Sequence, residues 1–201
     1  MKTKTIVMTL MLVACAAAHA QSTDLPAAKA ESSDLQGERN RALVQGAYDG
    51  DLGLVTAVVA KGASVEATGP KNRTALIWAA ANGHTPVVEF LISKDADVNG
   101  KDSGGRTALM FAVKGSHVDT VKYLLENGGD VNVRSSKTGF TALITAAAVG
   151  NVDVVRLLLD NGADMDLAEM GGETALDRAK QYEHPDVVQL LEAASGGDEN
   201  S

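Results

Sequence analysis

The chain has 201 residues, 45% hydrophobic but only 3% aromatic, and a formal net charge of −8. That length carries one domain of moderate size. Small aliphatic side chains in quantity suit closely packed helices better than a β-sandwich, and the acidic balance argues against general nucleic-acid binding.

Residues 1–20 stand apart from the rest of the chain. Lys2 and Lys4 make a basic start, Ile6 to Ala18 is an apolar run, and Ala18-His19-Ala20 is a small-x-small cleavage pattern. The run is too short to span a bilayer and has no polar/apolar period. It predicts a secretory signal of bacterial type, with a mature chain starting at Gln21 in the periplasm. Inside it, Leu12-Val13-Ala14-Cys15 resembles a lipoprotein processing box, and use of that site would tether the protein to a membrane through Cys15. The short run before Cys15 and the apolar Ala16 to Ala18 after it favour cleavage after Ala20. Cys15 is the sole cysteine, so the fold relies on no disulfide. Cleavage after Ala20 would remove two of the 18 basic residues and none of the 26 acidic ones, leaving a mature net charge of about −10. Residues 21–38 are polar, small and aperiodic, which predicts a flexible leader, and 196–201 reads as a disordered tail.

From residue 39 a period sets in. Thr-Ala-Leu begins at Thr74, Thr107, Thr141 and Thr174, at offsets of 33, 34 and 33 residues. Such a period means stacked supersecondary units, none of which buries its apolar face alone. In the unit from Thr74, the threonine caps a short helix, and Ala75, Leu76, Ala79 and Ala80 form its packing face. Gly83 ends that helix, and Pro86 opens a second one with Val87, Val88, Leu91 and Ile92 as its stripe. Val55, Val88, Val121, Val155 and Val188 share one phase; Val58, Leu91, Leu124, Leu158 and Leu191 share another. Asn72, Gly105, Gly139 and Gly172 each precede a threonine by two residues, which predicts a positive-φ turn position. The units fall at 39–71, 72–104, 105–138, 139–171 and 172–195. In the last, Arg178, Lys180 and Glu192 replace apolar residues, as a solvent-facing end cap requires.

With Gly83-His84, Val87-Val88, Leu124-Leu125 and the loops Asp95-Ala96-Asp97-Val98-Asn99, Gly128-Gly129-Asp130-Val131-Asn132 and Gly162-Ala163-Asp164-Met165-Asp166, residues 39–195 resemble the ankyrin repeat family, whose loop pattern is Gly-Ala-Asp-Val-Asn. The resemblance implies an all-α solenoid of helix-turn-helix units joined by β-hairpin-like loops. It also implies a face of hairpin tips and first helices that grips another protein. Three departures stand out: Ala for Pro after each Thr, Ser116 where Gly is expected, and one extra residue between Asn132 and Thr141. The insertion should lengthen one hairpin tip.

Several groups look like chemistry and are better read otherwise. Asp95-x-Asp97-x-Asn99-Gly100 opens like a calcium loop, but the twelfth position, where a bidentate Glu is needed, is Arg106. His84, His117 and His184 share one repeat phase, so helix stacking holds them roughly 8–10 Å apart, too far for one zinc. No nucleophile set or phosphate-binding glycine loop is present. The expectation is a protein that is not an enzyme, with no catalytic residues, no cofactor and no metal.

Mapped through the resemblance, the partner-binding candidates are Lys71, Arg73, Lys101, Arg106, Lys114, Arg134 and Lys137, with Phe140 and Tyr182 as apolar anchors. Thr138, Ala148, Val149 and Met170 fall on the same expected face. Seven cations on an acidic body make an electrostatic focus; the plain alternative is that exposed hairpin tips carry charge for solubility. The expected function is a protein–protein interaction module of the periplasm, an inhibitor or immunity factor being one such role. Its partner would be an exported protein with an acidic patch, and neither nucleic acid nor a membrane span is involved. The chain is expected to be a monomer. The alternative is a sensor of an anionic small ligand or glycan, using the same basic stripe.

Overall fold

The computed structural model describes residues 25–196, so the expected signal peptide with Cys15, the start of the leader and residues 197–201 of the tail lie outside the described residues. The chain divides into two units at Glu38/Arg39. Helix α1 runs Leu25–Asp49 and crosses that boundary. Where the sequence predicts a leader without regular structure, residues 25–38 are therefore helical. Ala27, Ala28, Lys29, Ala30 and Glu31 are strong helix formers, and extending an existing helix costs far less than nucleating one.

The repeat unit continues with α2 (Leu52–Ala60), a 3-10 turn (Pro70–Asn72), α3 (Ala75–Ala81) and α4 (Thr85–Ile92). It goes on through α5 (Ala108–Lys114), α6 (Val118–Glu126), α7 (Ala142–Val149), α8 (Val152–Asp160), α9 (Ala175–Gln181) and α10 (Pro185–Ser195). First helices α3, α5, α7 and α9 pack in series, and second helices α2, α4, α6, α8 and α10 do the same. The fold is an all-α repeat solenoid. Alanines make the first layer possible: Ala75, Ala79, Ala112, Ala146 and Ala179 are fully or nearly fully buried, so neighbouring backbones approach closely. The second layer is held by Val58, Leu91, Leu124, Leu158 and Leu191, all buried. Val55, Val88, Val121 and Val155 are buried too, while Val188 is half-buried.

Three of the four threonines cap as the motif predicts. Thr74, Thr141 and Thr174 accept from the N–H groups of Ile77, Ile144 and Asp177 at 3.3, 3.2 and 3.3 Å. Thr107 makes no such bond, and its buried hydroxyl has no partner. The predicted turn positions all have positive φ: Asn72 (56°), Gly105 (73°), Gly139 (74°) and Gly172 (85°).

The histidines act as staples. His84, His117 and His184 bond the carbonyls of Tyr48, Ala81 and Ala148, each near the end of the preceding first helix, at 3.0, 3.2 and 3.1 Å. Each imidazole lies over a glycine: a Cβ added at Gly50, Gly83 or Gly150 would come within about 2.5 Å of it. The segment that resembles a calcium loop is a second set of stitches. Asn99 accepts from the Asp130 N–H and donates to the Gly128 carbonyl, and Asn132 repeats this with Asp164 and Gly162. At the C-terminal end, Lys180 and Glu192 pair at 2.9 Å, and Arg178 reaches Glu169 and Glu173 at 3.3 and 2.9 Å.

Candidate protein-interaction face

Each hairpin is closed by a backbone bond from Gly69 to Arg73, Asp102 to Arg106, Ser135 to Phe140 and Glu169 to Glu173. The third closes over one residue more than the others, which is where the insertion lengthens the tip. The tips are joined to one another as well. Lys71, Gly104 and Thr138 offer carbonyls to the N–H groups of Ser103, Ser136 and Met170, each at 2.9 Å. This ladder fixes the spacing of the cations predicted on the tips.

The predicted cations, on the tips and on α5, are of two kinds. Lys71, Lys101, Lys114 and Lys137 are exposed, and among the described residues none has a carboxylate within 4.0 Å. The arginines are committed to the fold. Arg134 donates to the Ala168 carbonyl at 2.5 Å, tying its hairpin to the next. Arg73 and Arg106 converge on Asp102, whose side chain is sealed from solvent. Asp102 accepts from Arg106 through Nε and Nη2 (3.2 and 2.7 Å) and from the N–H groups of Gly104 and Arg106 (2.8 and 3.1 Å); Arg73 Nε stands 3.5 Å away. Burial pushes the Asp102 carboxyl up, but the Arg106 side-chain bond, the two backbone bonds and the Arg106 charge together hold it below the usual carboxylate range. Both guanidiniums also lie 4.5 Å from the centre of the buried Phe111 ring, and Arg73 is 4.6 Å from that of Trp78.

Further along the face, α5, the hairpin over 135–140, α7 and Tyr182 at the end of α9 line a half-open cavity of about 470 Å3. Lys114, Phe140 and Tyr182 line it together with Arg106, bringing four of the nine predicted positions to one place. Lys71, Arg73, Lys101, Arg134 and Lys137 are not among its lining residues. Val149, Ala148 and Thr138 join the wall as the repeat phase predicts, whereas Met110 is not legible as a wall residue because its phase reads as core. Sequence reasoning also misses Asp102. The signal available is that Arg73 and Arg106 share a repeat phase, so a carboxylate in the hairpin between them could serve both.

Arg178 lies over the Phe140 ring at 5.3 Å, which leaves Phe140 half-buried. Val149 and Tyr182 stay open to solvent at 42% and 53% exposure. Among the described residues, no group of three or more His, Cys, Asp or Glu side chains is placed to hold a metal, and no helix is long and apolar enough to cross a membrane.

The family model for ankyrin repeats (3 copies) matches residues 43–135 and 130–200. The chain belongs to the ankyrin repeat family. No match to the chain is found among curated proteins. An ankyrin repeat array is a protein–protein interaction module, and ankyrin repeat proteins are typically non-catalytic. In this one, the histidine staple and the asparagine stitch bind repeat to repeat, leaving side chains of the tips and first helices exposed.

Proposed function

We propose that this ankyrin repeat protein is an exported, non-catalytic module of the bacterial periplasm that binds a protein partner through its hairpin and first-helix face. One observation carries the reading: Lys114, Phe140 and Tyr182, from three successive repeats, meet at a cavity with no carboxylate in its wall, in a chain with 26 acidic residues. Exposed aromatic and aliphatic side chains beside an unpaired cation are the materials of an interface: the apolar anchors resist dissociation and the cation steers encounter.

The cavity volume also lies inside the range of small-ligand sites, about 300–1,000 Å3, which keeps an anionic small ligand as a second reading. A glycan fits less well. The Ser135 and Thr145 hydroxyls in the wall donate inward, to the Gly104 and Thr141 carbonyls, so they are not free donors for sugar oxygens.

Photocrosslinking in intact envelope tests the proposal. Val149→p-benzoylphenylalanine should yield a discrete protein adduct, and the same replacement at exposed Arg156 on α8 should not. Equal adducts from both positions, or none from Val149, would refute the assigned face.

A further inference from the structure

Resting on that reading, we infer that the cavity takes a segment of the partner in which a bulky apolar side chain sits beside an aspartate or glutamate. Most polar groups of the wall are already satisfied within the protein. The Ser135 and Thr145 hydroxyls donate to backbone carbonyls; the Thr138 hydroxyl accepts from the Phe140 N–H at 3.4 Å and keeps its own O–H as a donor, which also suits an anion. Arg106 spends Nε and one edge of Nη2 on Asp102. Lys114, exposed in the last turn of α5, lines the cavity and has no carboxylate within 4.0 Å among the described residues, so its three donors are open to an occupant. The polar demand of the site is therefore for an anion at Lys114, with an edge of Arg106 in reach.

The rest of the wall asks for the opposite chemistry. Met110, Phe111, Phe140, Val149 and Tyr182 form an apolar floor. An anion alone would leave that floor wet, forgoing about 25 cal/mol for each Å2 of apolar surface that could be covered. An apolar group alone would seal the Lys114 ammonium without a partner, which costs more than the pair returns. One occupant meets both demands: an apolar side chain with a carboxylate next to it. Its source as a polypeptide, and not a free aromatic acid, is indicated by the surface beyond the cavity. Thr138 in the wall accepts from the N–H of Met170, whose side chain is 65% exposed, and Lys137 stands one residue before it. Apolar and cationic surface thus continue past the cavity for more than one residue of a bound strand or loop.

The test is selection from a random displayed-peptide library on the purified protein, then fluorescence anisotropy with a fluorescein-labelled peptide of the enriched class. Enriched peptides should pair Phe, Trp or Leu with Asp or Glu within two positions. Converting that acid to its amide, or making Lys114→Glu, should weaken binding about tenfold at low salt, the scale of one charge-assisted hydrogen bond. Tyr182→Ala should weaken it by a similar factor, while Lys122→Glu and Arg156→Glu should leave it within about twofold, as expected for exposed charges outside the contact. Enriched peptides without an acid, or affinity indifferent to Lys114→Glu, would overturn the inference; if the Val149 crosslink still captured a protein, the functional reading would stand without it. Binding of 3-phenylpropionate as tight as that of the peptide would overturn the inference in favour of the small-ligand reading.

Discussion

Asp102 receives four hydrogen bonds and faces a second guanidinium, with its side chain sealed from solvent, so removing its charge should be felt well beyond one hairpin. Asp102→Asn is the cleanest perturbation. The amide oxygen can keep the N–H groups of Gly104 and Arg106, while the amide NH2 is turned towards Arg106 Nε and Nη2, donor against donor. A hydrogen bond to a charged group contributes about 1.5–3 kcal/mol. Breaking a buried pair costs about 3–5 kcal/mol, less where one partner reaches water as Arg106 does. The expected loss is therefore about 2–3 kcal/mol, and Asp102→Ala, which also strips the two backbone acceptor contacts, should cost about 1 kcal/mol more.

The pH dependence gives an independent check. The folded-state pKa of Asp102 is lowered, so its stabilising contribution is fully present above the unfolded value of about 3.9 and is lost as pH falls through the folded value. The amide of the Asp102→Asn variant cannot titrate. The stability gap between the two proteins should be flat from about pH 5 to 8 and close progressively below about pH 4. Other carboxylates held low, such as Glu169 and Asp177, are common to both chains and cancel in the difference. Urea unfolding followed by circular dichroism measures the gap, with amide exchange at Gly104 and Arg106 reporting the hairpin itself, since repeat arrays need not unfold in two states. An Asp102→Asn variant as stable as wild type at pH 7, or a gap unchanged at pH 3, would show that the cluster is not what holds these arginines.

Three further outcomes are expected. Leu124, fully buried in α6, should cost about 2–5 kcal/mol on replacement by Ala, read as a lowered urea midpoint. Ser116→Gly with Asn151→His should be coupled: Asn151→His alone should destabilise, and the double variant should recover at least about 1 kcal/mol in a double-mutant cycle. Intact mass of the protein taken from cells should match a chain beginning at Gln21, and a diacylglyceryl mass on Cys15 would show membrane tethering instead.

The repeat, its helices and its positive-φ turns are legible because they rest on local rules repeated along the chain, and each copy corroborates the others. The face of hairpin tips and first helices is legible in outline by phase. What phase cannot show is which cations are spoken for. Arg73, Arg106 and Arg134 look like Lys71, Lys114 and Lys137 in the sequence. Their difference lies in contacts to Asp102 and to the Ala168 carbonyl: Arg106 meets Asp102 across its own hairpin, while the Arg73 and Arg134 contacts depend on neighbouring hairpins coming into register. The helix over 25–38 escapes sequence reasoning for the converse reason: without an apolar stripe, propensity is the remaining signal, and a small, polar segment reads as flexible.

Two of the departures from the repeat pattern, Ser116 and the inserted residue, gather at one junction, and their physics is connected. At the other three junctions a histidine lies over a glycine, a pairing that a Cβ would block. Between the third and fourth units the glycine position holds Ser116, with φ of 59°, and the histidine position holds Asn151. Asn151 has turned inward instead, accepting from the Val154 N–H at 3.0 Å to cap α8. The Lys114 carbonyl occupies the phase that receives the staple elsewhere, so this junction exchanges a bond between repeats for a cap within one. The residue inserted in the hairpin falls in the same fourth-unit approach, beside Lys137 and Phe140. Lys114 and Phe140 then line the cavity that crosses this junction. Where stacking alone decides, the chain keeps the repeat rule; it relaxes the rule at the place where unpaired charge and uncovered apolar surface meet. That coincidence is a reason, independent of the residues' charge, to look for the partner there.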